Sequence, residues 1–273
     1  MRFYFALASS PSDNEALFLS EATNFLFSYH YYKSDIQKVR AKMWDKKNNY
    51  FIDSGAFSAH TLGKVINIDE YILFIKELKF DTYANLDVIG NSEKSFQNEA
   101  YMRAKGLTPL PVFHFGENIT YLDRILNSGV EYFCLGGMVQ AADLDEWLVN
   151  VWEHIHKNKP GIKVHGFGLT DLELVLKYPW YSVDSSSWTS PVRFARFSVF
   201  NALKGKFYQK SVYEIFKENN IEYKPDEPIV GDKRKFILKA QVNEMLAAEK
   251  WLSEKRENFN YNYLSNKLNI FDL

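Results

Sequence analysis

The chain has 273 residues, near the usual size of one complete (β/α)8 barrel, and its 46% hydrophobic content can fill a single large core. A formal net charge of −1 excludes a generally basic nucleic-acid coat, and the single cysteine, Cys134, excludes an internal disulfide and any multi-cysteine zinc site. No apolar run approaches the roughly 18 residues that cross a bilayer, and Pro11-Ser12-Asp13 follows the apolar start too early for a secretory segment, so a cytoplasmic protein without metal or cofactor is expected.

Along the chain, short β-rich apolar runs alternate with longer stretches of helical period, the pattern of parallel βα units. The expected strands are Phe3 to Ala8, Asn24 to Tyr29, Tyr50 to Ser54, Thr82 to Val88, Leu110 to Phe115, Tyr132 to Gly136, Lys163 to Phe167 and Tyr181 to Ser185. Between them the period predicts helices over Asn14 to Ala22, Ser34 to Trp44, Asp69 to Leu78, Ser92 to Lys105, Ile119 to Ser128, Ala141 to Asn158 and Thr170 to Lys177, the last opening on the capping-box form Thr170-Asp171-Leu172-Glu173. Eight runs predict a (β/α)8 TIM-type barrel occupying residues 1–273 as one domain, although the first run could instead cap the barrel. After the eighth run the rhythm changes. Phe197 to Phe200 and Lys206 to Gln209 read as a hairpin, a short insertion, and Lys235 to Lys255 as an amphipathic C-terminal helix.

Barrel active sites are built from the C-terminal ends of strands, and here polar residues end strand after strand. The third ends Asp53-Ser54-Gly55-Ala56-Phe57, the fourth Leu86-Asp87-Val88, and the fifth Phe113-His114-Phe115-Gly116-Glu117. The sixth ends Leu135-Gly136-Gly137-Met138, the seventh carries His165-Gly166-Phe167-Gly168, and the eighth ends Val183-Asp184-Ser185. An aspartate at a strand end is often only the cap of the next helix, and His114 and His165 have an equally ordinary reading as satisfied histidines. Three carboxylates in one mouth are costly for folding, however, and such a cost is usually tolerated for chemistry. Paired glycines at a strand end let backbone N–H groups approach a flat ligand closely.

In this order the elements resemble the tRNA-guanine transglycosylase superfamily, and more narrowly the compact phage-type DNA guanine transglycosylases of the DpdA kind. Asp53-Ser54-Gly55-Ala56-Phe57-Ser58 is similar to the family's Asp-Ser-Gly-Gly-aromatic-Gln element, Leu86-Asp87-Val88 to its base-reading strand, and Leu135-Gly136-Gly137-Met138 to its Gly-Gly-Leu. His165-Gly166-Phe167-Gly168 is similar to its Met-Gly-Val-Gly, and Val183-Asp184-Ser185 to its Phe-Asp-Cys. The resemblance implies that Asp184 is the nucleophile, Asp53 the general acid/base and Asp87 the reader of the guanine edge, with Gly136 and Gly137 donating N–H groups to the base carbonyl. It also implies stacking by Phe57 and His165, a base contact by His114, and places for Ser54 and Met138 among the substrate-binding residues. Ser58 departs from the family's Gln.

The resemblance further implies exchange of guanine for a 7-deazaguanine through a covalent aspartyl intermediate, on a nucleotide flipped out of the duplex or presented single-stranded. The cysteine-rich zinc subdomain of the tRNA enzymes has no counterpart after Asp184, which favours DNA over tRNA as the polymer. Arg193, Arg196, Lys204 and Lys206 are the expected phosphate contacts, with Lys210, Lys233, Arg234 and Lys235 beside them, although such a cluster is commonly only a solvated face. The rival expectations are a tRNA enzyme, a catalytically inert base-binding partner subunit and an unrelated two-carboxylate barrel hydrolase. The many aromatics would suit either a homodimer or DNA.

Overall fold

The computed structural model describes residues 1–34, 48–139 and 141–257. The chain opens with β1 (Arg2–Ala6), α1 (Pro11–Phe18), β2 (Asn24–Ser28), α2 (Tyr29–Tyr32), β3 (Asn49–Asp53), α3 (Ala56–Thr61), α4 (Ile68–Leu78) and α5 (Ser92–Ala104). It continues through β4 (Val112–His114), α6 (Ile119–Asn127), β5 (Tyr132–Gly136), α7 (Leu144–Asn158), β6 (Lys163–Gly166), α8 (Leu172–Lys177) and β7 (Ser182–Ser185). A 3-10 turn at Ser187–Thr189 leads into α9 (Ser190–Phe194), the hairpin of β8 (Arg196–Asn201) and β9 (Lys206–Ser211), α10 (Val212–Glu218) and the long α11 (Gly231–Glu257).

β1 to β7 form a curled parallel sheet in the order β3-β2-β1-β7-β6-β5-β4, a half-barrel. Successive side chains along a strand face opposite ways, so each strand serves two cores. Phe3, Phe5, Phe25, Phe27, Ile52, Phe113, Phe133, Leu135, Val164 and Val183 face the helices in the larger core. Tyr4, Leu26, Phe51, Ala84, Val112 and Cys134 meet on the concave side in a smaller one. A sheet covered on both faces must be apolar at every interior position, which is why these strands read as unbroken apolar runs rather than as alternating ones.

The fourth expected strand, Thr82 to Val88, is replaced by two isolated parallel bridges, Ile52 with Tyr83 and Ala84 with Leu110, between the sheet's edge strands. Beyond Ala84 the backbone turns to α5 for its partners. Asn98 donates to the Leu86 carbonyl at 2.8 Å, Ser95 Oγ accepts from the Val88 N–H at 2.8 Å, and the Asn85 side chain donates to the Ser95 carbonyl at 2.8 Å. Side-chain hydrogen bonds of this kind compete with ladder formation and leave Asp87 on a loop. Pro111 lacks an N–H and shortens the following strand to Val112–His114.

Helix ends also differ from expectation. Pro11 opens α1 because its missing N–H is no loss at a first turn. Asp171, not Thr170, caps α8 by accepting from the Glu173 N–H at 2.9 Å, and the capping box occurs instead at Ser211 and Glu214. The helix begins at Leu144 rather than Ala141, after Asp143 takes a left-handed conformation. Short helices α2, α3 and α10 escaped the periodicity, being only 4, 6 and 7 residues long. The helix expected over Ser34 to Trp44 lies, but for Ser34, outside the described residues.

The hairpin forms as expected, and α11 ties it to the sheet. Gln241 accepts from the Ser198 N–H at 2.8 Å and donates to its carbonyl at 2.9 Å, and Glu244 accepts from the Phe200 N–H at 2.7 Å, so the free edge of β8 is covered. Further along α11, Glu249 accepts from the Phe3 N–H at 2.8 Å and from Asn24 at 3.3 Å. Among the described residues no helix is long and apolar enough to cross a membrane. Glu249→Ala leaves the Phe3 N–H without this acceptor and should cost about 1–3 kcal/mol in urea unfolding, whereas Glu249→Gln, which keeps an acceptor, should recover most of it.

Candidate active site

The strand alternation that turns Tyr4, Leu26, Phe51, Val112 and Cys134 to the concave side also turns the last residues of those strands there. Asp53 is two residues beyond Phe51, His114 two beyond Val112, and Gly136 two beyond Cys134; the register sets Asp53 opposite Ser28 and His114 opposite Gly136. A cavity of about 740 Å³ opens at these strand ends, with Asp53, Asp87, His114, Gly136, Gly137 and Asp184 in its wall and Phe57, 59% exposed, at its rim. This is the size and polarity of a small-molecule site, with a few convergent polar groups.

Asp87 is held from both sides. Ser54 Oγ donates to Oδ1 at 3.0 Å and His114 Nε2 lies 2.8 Å from Oδ2. Glu117 lies on the far side of the imidazole, its Oε1 3.5 Å from Nδ1, while its Oε2 accepts from the His114 backbone N–H at 2.8 Å and Ser92 Oγ donates to Oε1 at 2.5 Å. Burial alone would lower the His114 pKa, but the bond to Asp87, reinforced by Glu117, pushes it up to about 10, so the ring is an imidazolium at neutral pH. Glu117 is partly desolvated, yet the contacts with His114 and Ser92 hold it below the usual carboxylate range. Gly136 makes room for this ring: a Cβ there would meet His114 Cδ2 at 3.0 Å.

Asp184 is aimed by a different set of bonds. Its Oδ1 accepts from the Gly168 N–H at 2.9 Å and lies 3.2 Å from His165 Nε2. Gly168 presents that N–H from a left-handed turn, φ 65°, which glycine adopts without steric cost. The chain of bonds continues inward: His165 Nδ1 lies 2.7 Å from Ser182 Oγ, which lies 2.6 Å from the Tyr132 hydroxyl. Desolvation lowers the His165 pKa against the opposing pull of Asp184, so the ring is neutral at pH 7. A carboxylate can only accept, so Nε2 carries the proton, Nδ1 accepts from Ser182, and the Ser182 oxygen is left to accept from Tyr132.

Asp53 is the perturbed acid. Desolvation, then the charge of Asp87, push its pKa up to about 7; the Gly55 amide pulls it back and Asp184 adds to the rise. A carboxyl poised near neutrality can both give and take a proton, and groups perturbed by burial and like charge gather at functional sites.

The structure brings Asp53, Asp87, Asp184, His114, Gly136, Gly137, Phe57 and Arg193 to one cavity. It puts others elsewhere. His165 is fully buried among Tyr4, Phe51 and Phe167, so it has no free face for stacking and meets Asp184 instead; Phe167, two residues on, lines the cavity. Ser54 and Met138 are buried behind the wall, the former bonded to Asp87. Arg196, Lys204 and Lys206 lie outside the cavity lining, and Lys206 is paired with Glu173. Sequence reasoning missed Asp13, which lines the cavity, and the partnerships of Glu117, Ser182 and Tyr132. Glu117, three residues after His114, is the one of these with a local signal.

Compared with protein-family models and with curated proteins, the chain finds no match.

Two outcomes follow. The raised Asp53 pKa means that its contribution to stability is complete below its ordinary 3.8 and is lost as pH rises toward about 7, so Asp53→Asn should raise the melting temperature by several degrees at about pH 8 and little at about pH 4. Nitrogen NMR should show His165 neutral, protonated at Nε2 and not at Nδ1, and Ser182→Ala should weaken that preference.

Proposed function

We propose that the chain is a base-exchange glycosyltransferase that replaces guanine in DNA with a 7-deazaguanine through a covalent aspartyl intermediate. The observation that carries this reading is the arrival of Asp53, Asp87 and Asp184 at one cavity, each in a different electrostatic setting. The reading takes the half-barrel as a complete (β/α)8 barrel whose eighth position is residues 82–85, supported by the bridges to Ile52 and Leu110.

In the first displacement the Asp184 carboxylate attacks C1′ of the target deoxyguanosine as the bond from C1′ to N9 breaks. Protonated Asp53 supplies the proton that the departing guanine needs, so guanine leaves neutral and Asp53 is left as carboxylate. In the second, Asp53 takes the N9 proton of the incoming 7-deazaguanine, N9 attacks C1′, and the Asp184 carboxylate is released. Two inversions give net retention, as in two-step glycosidases. A pKa near 7 suits a group that works in both directions.

Asp87 supplies acceptors for N1–H and the exocyclic amine, using lone pairs beyond those taken by Ser54 and His114. The His114 imidazolium and the Gly136-Gly137 backbone border the carbonyl side of the base. Such a pocket rejects bases that leave its buried polar groups unpaired. Phe57, Phe167 and Tyr31 bring aromatic rings to the cavity for stacking.

The test is incubation of purified protein with mass-tagged 7-deazaguanines and either DNA or tRNA. Label should enter DNA, the rate should inflect near pH 7, and Asp184→Ala should reduce it on the order of 10³-fold or more. Label in tRNA alone would transfer the assignment to the tRNA reaction, and none in either would overturn base exchange.

A further inference from the structure

The cavity is larger than a base pocket and has a second, differently charged end. Its lining includes Ser186, Thr189 and Arg193 from the segment after Asp184, Arg234 from α11, which packs on α9 and α1, and Ser9, Ser10 and Asp13 where β1, the neighbour of β7, hands over to α1. The base-reading features come instead from β3, β4, β5 and the loop carrying Asp87, toward the edges of the sheet, whereas β1 and β7 are at its centre.

The two arginines are held differently. Arg234, in the first turn of α11, grips the buried Asp13 side-on, Nε to Oδ1 at 2.6 Å and Nη2 to Oδ2 at 2.9 Å, while Nη1 donates to the Ile229 carbonyl at 3.3 Å. That uses three of its five N–H groups and fixes the guanidinium plane. Arg193 is exposed on α9, its guanidinium 5.0 Å from the Phe194 ring centre, and no carboxylate among the described residues pairs with it. Asp13 is taken up by Arg234, so Arg193 is left in the lining without a carboxylate partner among the described residues.

Outside the cavity, three of the basic side chains on the hairpin and α11 already hold carboxylates: Lys206 holds Glu173, Lys210 holds Glu218 at 2.6 Å and Lys235 holds Glu15 at 3.0 Å. The chain as a whole carries a net charge of −1. A phosphate bound at Lys206, Lys210 or Lys235 would have to displace those partners, whereas one phosphate inside the cavity meets Arg193, which holds no carboxylate among the described residues, and Arg234, already oriented.

We propose that the Arg193 and Arg234 end of the cavity is a subsite for a single phosphate adjoining the sugar of the target nucleotide. Arg193 is the ligand that closes on it, Arg234 presents its remaining N–H groups from a fixed plane, and the hydroxyls of Ser9, Ser10 and Ser186 complete the rim. The assignment of the neighbouring sugar to deoxyguanosine rests on the base-exchange reading; the anion site stands on the cavity and its charges alone. Asp13 sets its strength, since it takes up half of the positive charge while holding Arg234 in place.

The experiment is calorimetric titration of the full chain with deoxyguanosine, with its 5′- and 3′-monophosphates, and with inorganic phosphate. At least one monophosphate should bind about tenfold or more tightly than the nucleoside, as expected for a charge-assisted contact. Arg193→Ala should abolish that difference and leave nucleoside binding unchanged; its exposed position makes it the variant least able to disturb folding. Asp13→Asn should increase the difference. For a single-stranded oligonucleotide the slope of log affinity against log salt should be about −0.7, the value for one phosphate on a single strand.

Equal binding of nucleoside and both monophosphates would overturn the subsite while leaving the base reading intact. A difference that survives Arg193→Ala would also overturn it, as would a salt slope of several phosphates. Phosphate capture dependent on Arg193 without any binding of deoxyguanosine would support the anion site and overturn the guanine reading.

Discussion

Asp53, Asp87 and Asp184 open together into the cavity at the strand ends, and the repulsion among them is the constraint to which the surrounding structure responds. Carboxylates removed from water and brought together cannot all keep their charge at no cost. Asp53 has the raised pKa, at about 7, while Asp87 lies against an imidazolium that Glu117 helps to hold charged. Asp184 receives a backbone N–H and a neutral histidine. The same side-chain chemistry thus appears in three electrostatic environments within one cavity.

Those environments depend on groups with no view of the cavity. Ser54, fully buried, anchors Asp87, and Ser182 and Tyr132 orient His165 behind Asp184. Fixing a reactive group by bonded neighbours on rigid strands reduces the reorganisation needed when charge moves. The arrangement also explains why so many polar atoms are tolerated inside an apolar sheet: nearly every one has a partner, and a satisfied network in low dielectric adds rigidity. His114 Nδ1 is an exception, 3.5 Å from Glu117 and beyond a proper hydrogen bond.

The sequence made the βα rhythm legible because a parallel sheet covered on both faces demands apolar residues throughout, and seven of the eight expected runs became strands of one sheet. The remaining run, around Tyr83 and Ala84, keeps backbone bonds to Ile52 and Leu110 but is cut short beyond them by the side chains of Asn85, Ser95 and Asn98, a competition between residues far enough apart that no local pattern announces it. Thr170 and Asp171 were both acceptable caps for α8, and only the backbone conformation at that turn selected Asp171.

For the site, the amino-acid sequence by itself determined which polar residues end strands, and the twofold period of a strand then requires Asp53, His114 and Gly136 to face the same way as Phe51, Val112 and Cys134. It could not determine depth. His165 shares that inward parity, yet it sits one layer lower, enclosed by Tyr4, Phe51 and Phe167, and so became a support for Asp184 instead of a stacking surface. Nor could it determine which cations are already spoken for, since Lys206 meets Glu173 and Arg234 meets Asp13 across 33 and 221 residues of chain, respectively. Parity is a local property of the backbone and survives in sequence; depth and ion pairing arise from how distant strands and helices pack, and only the tertiary structure decides them.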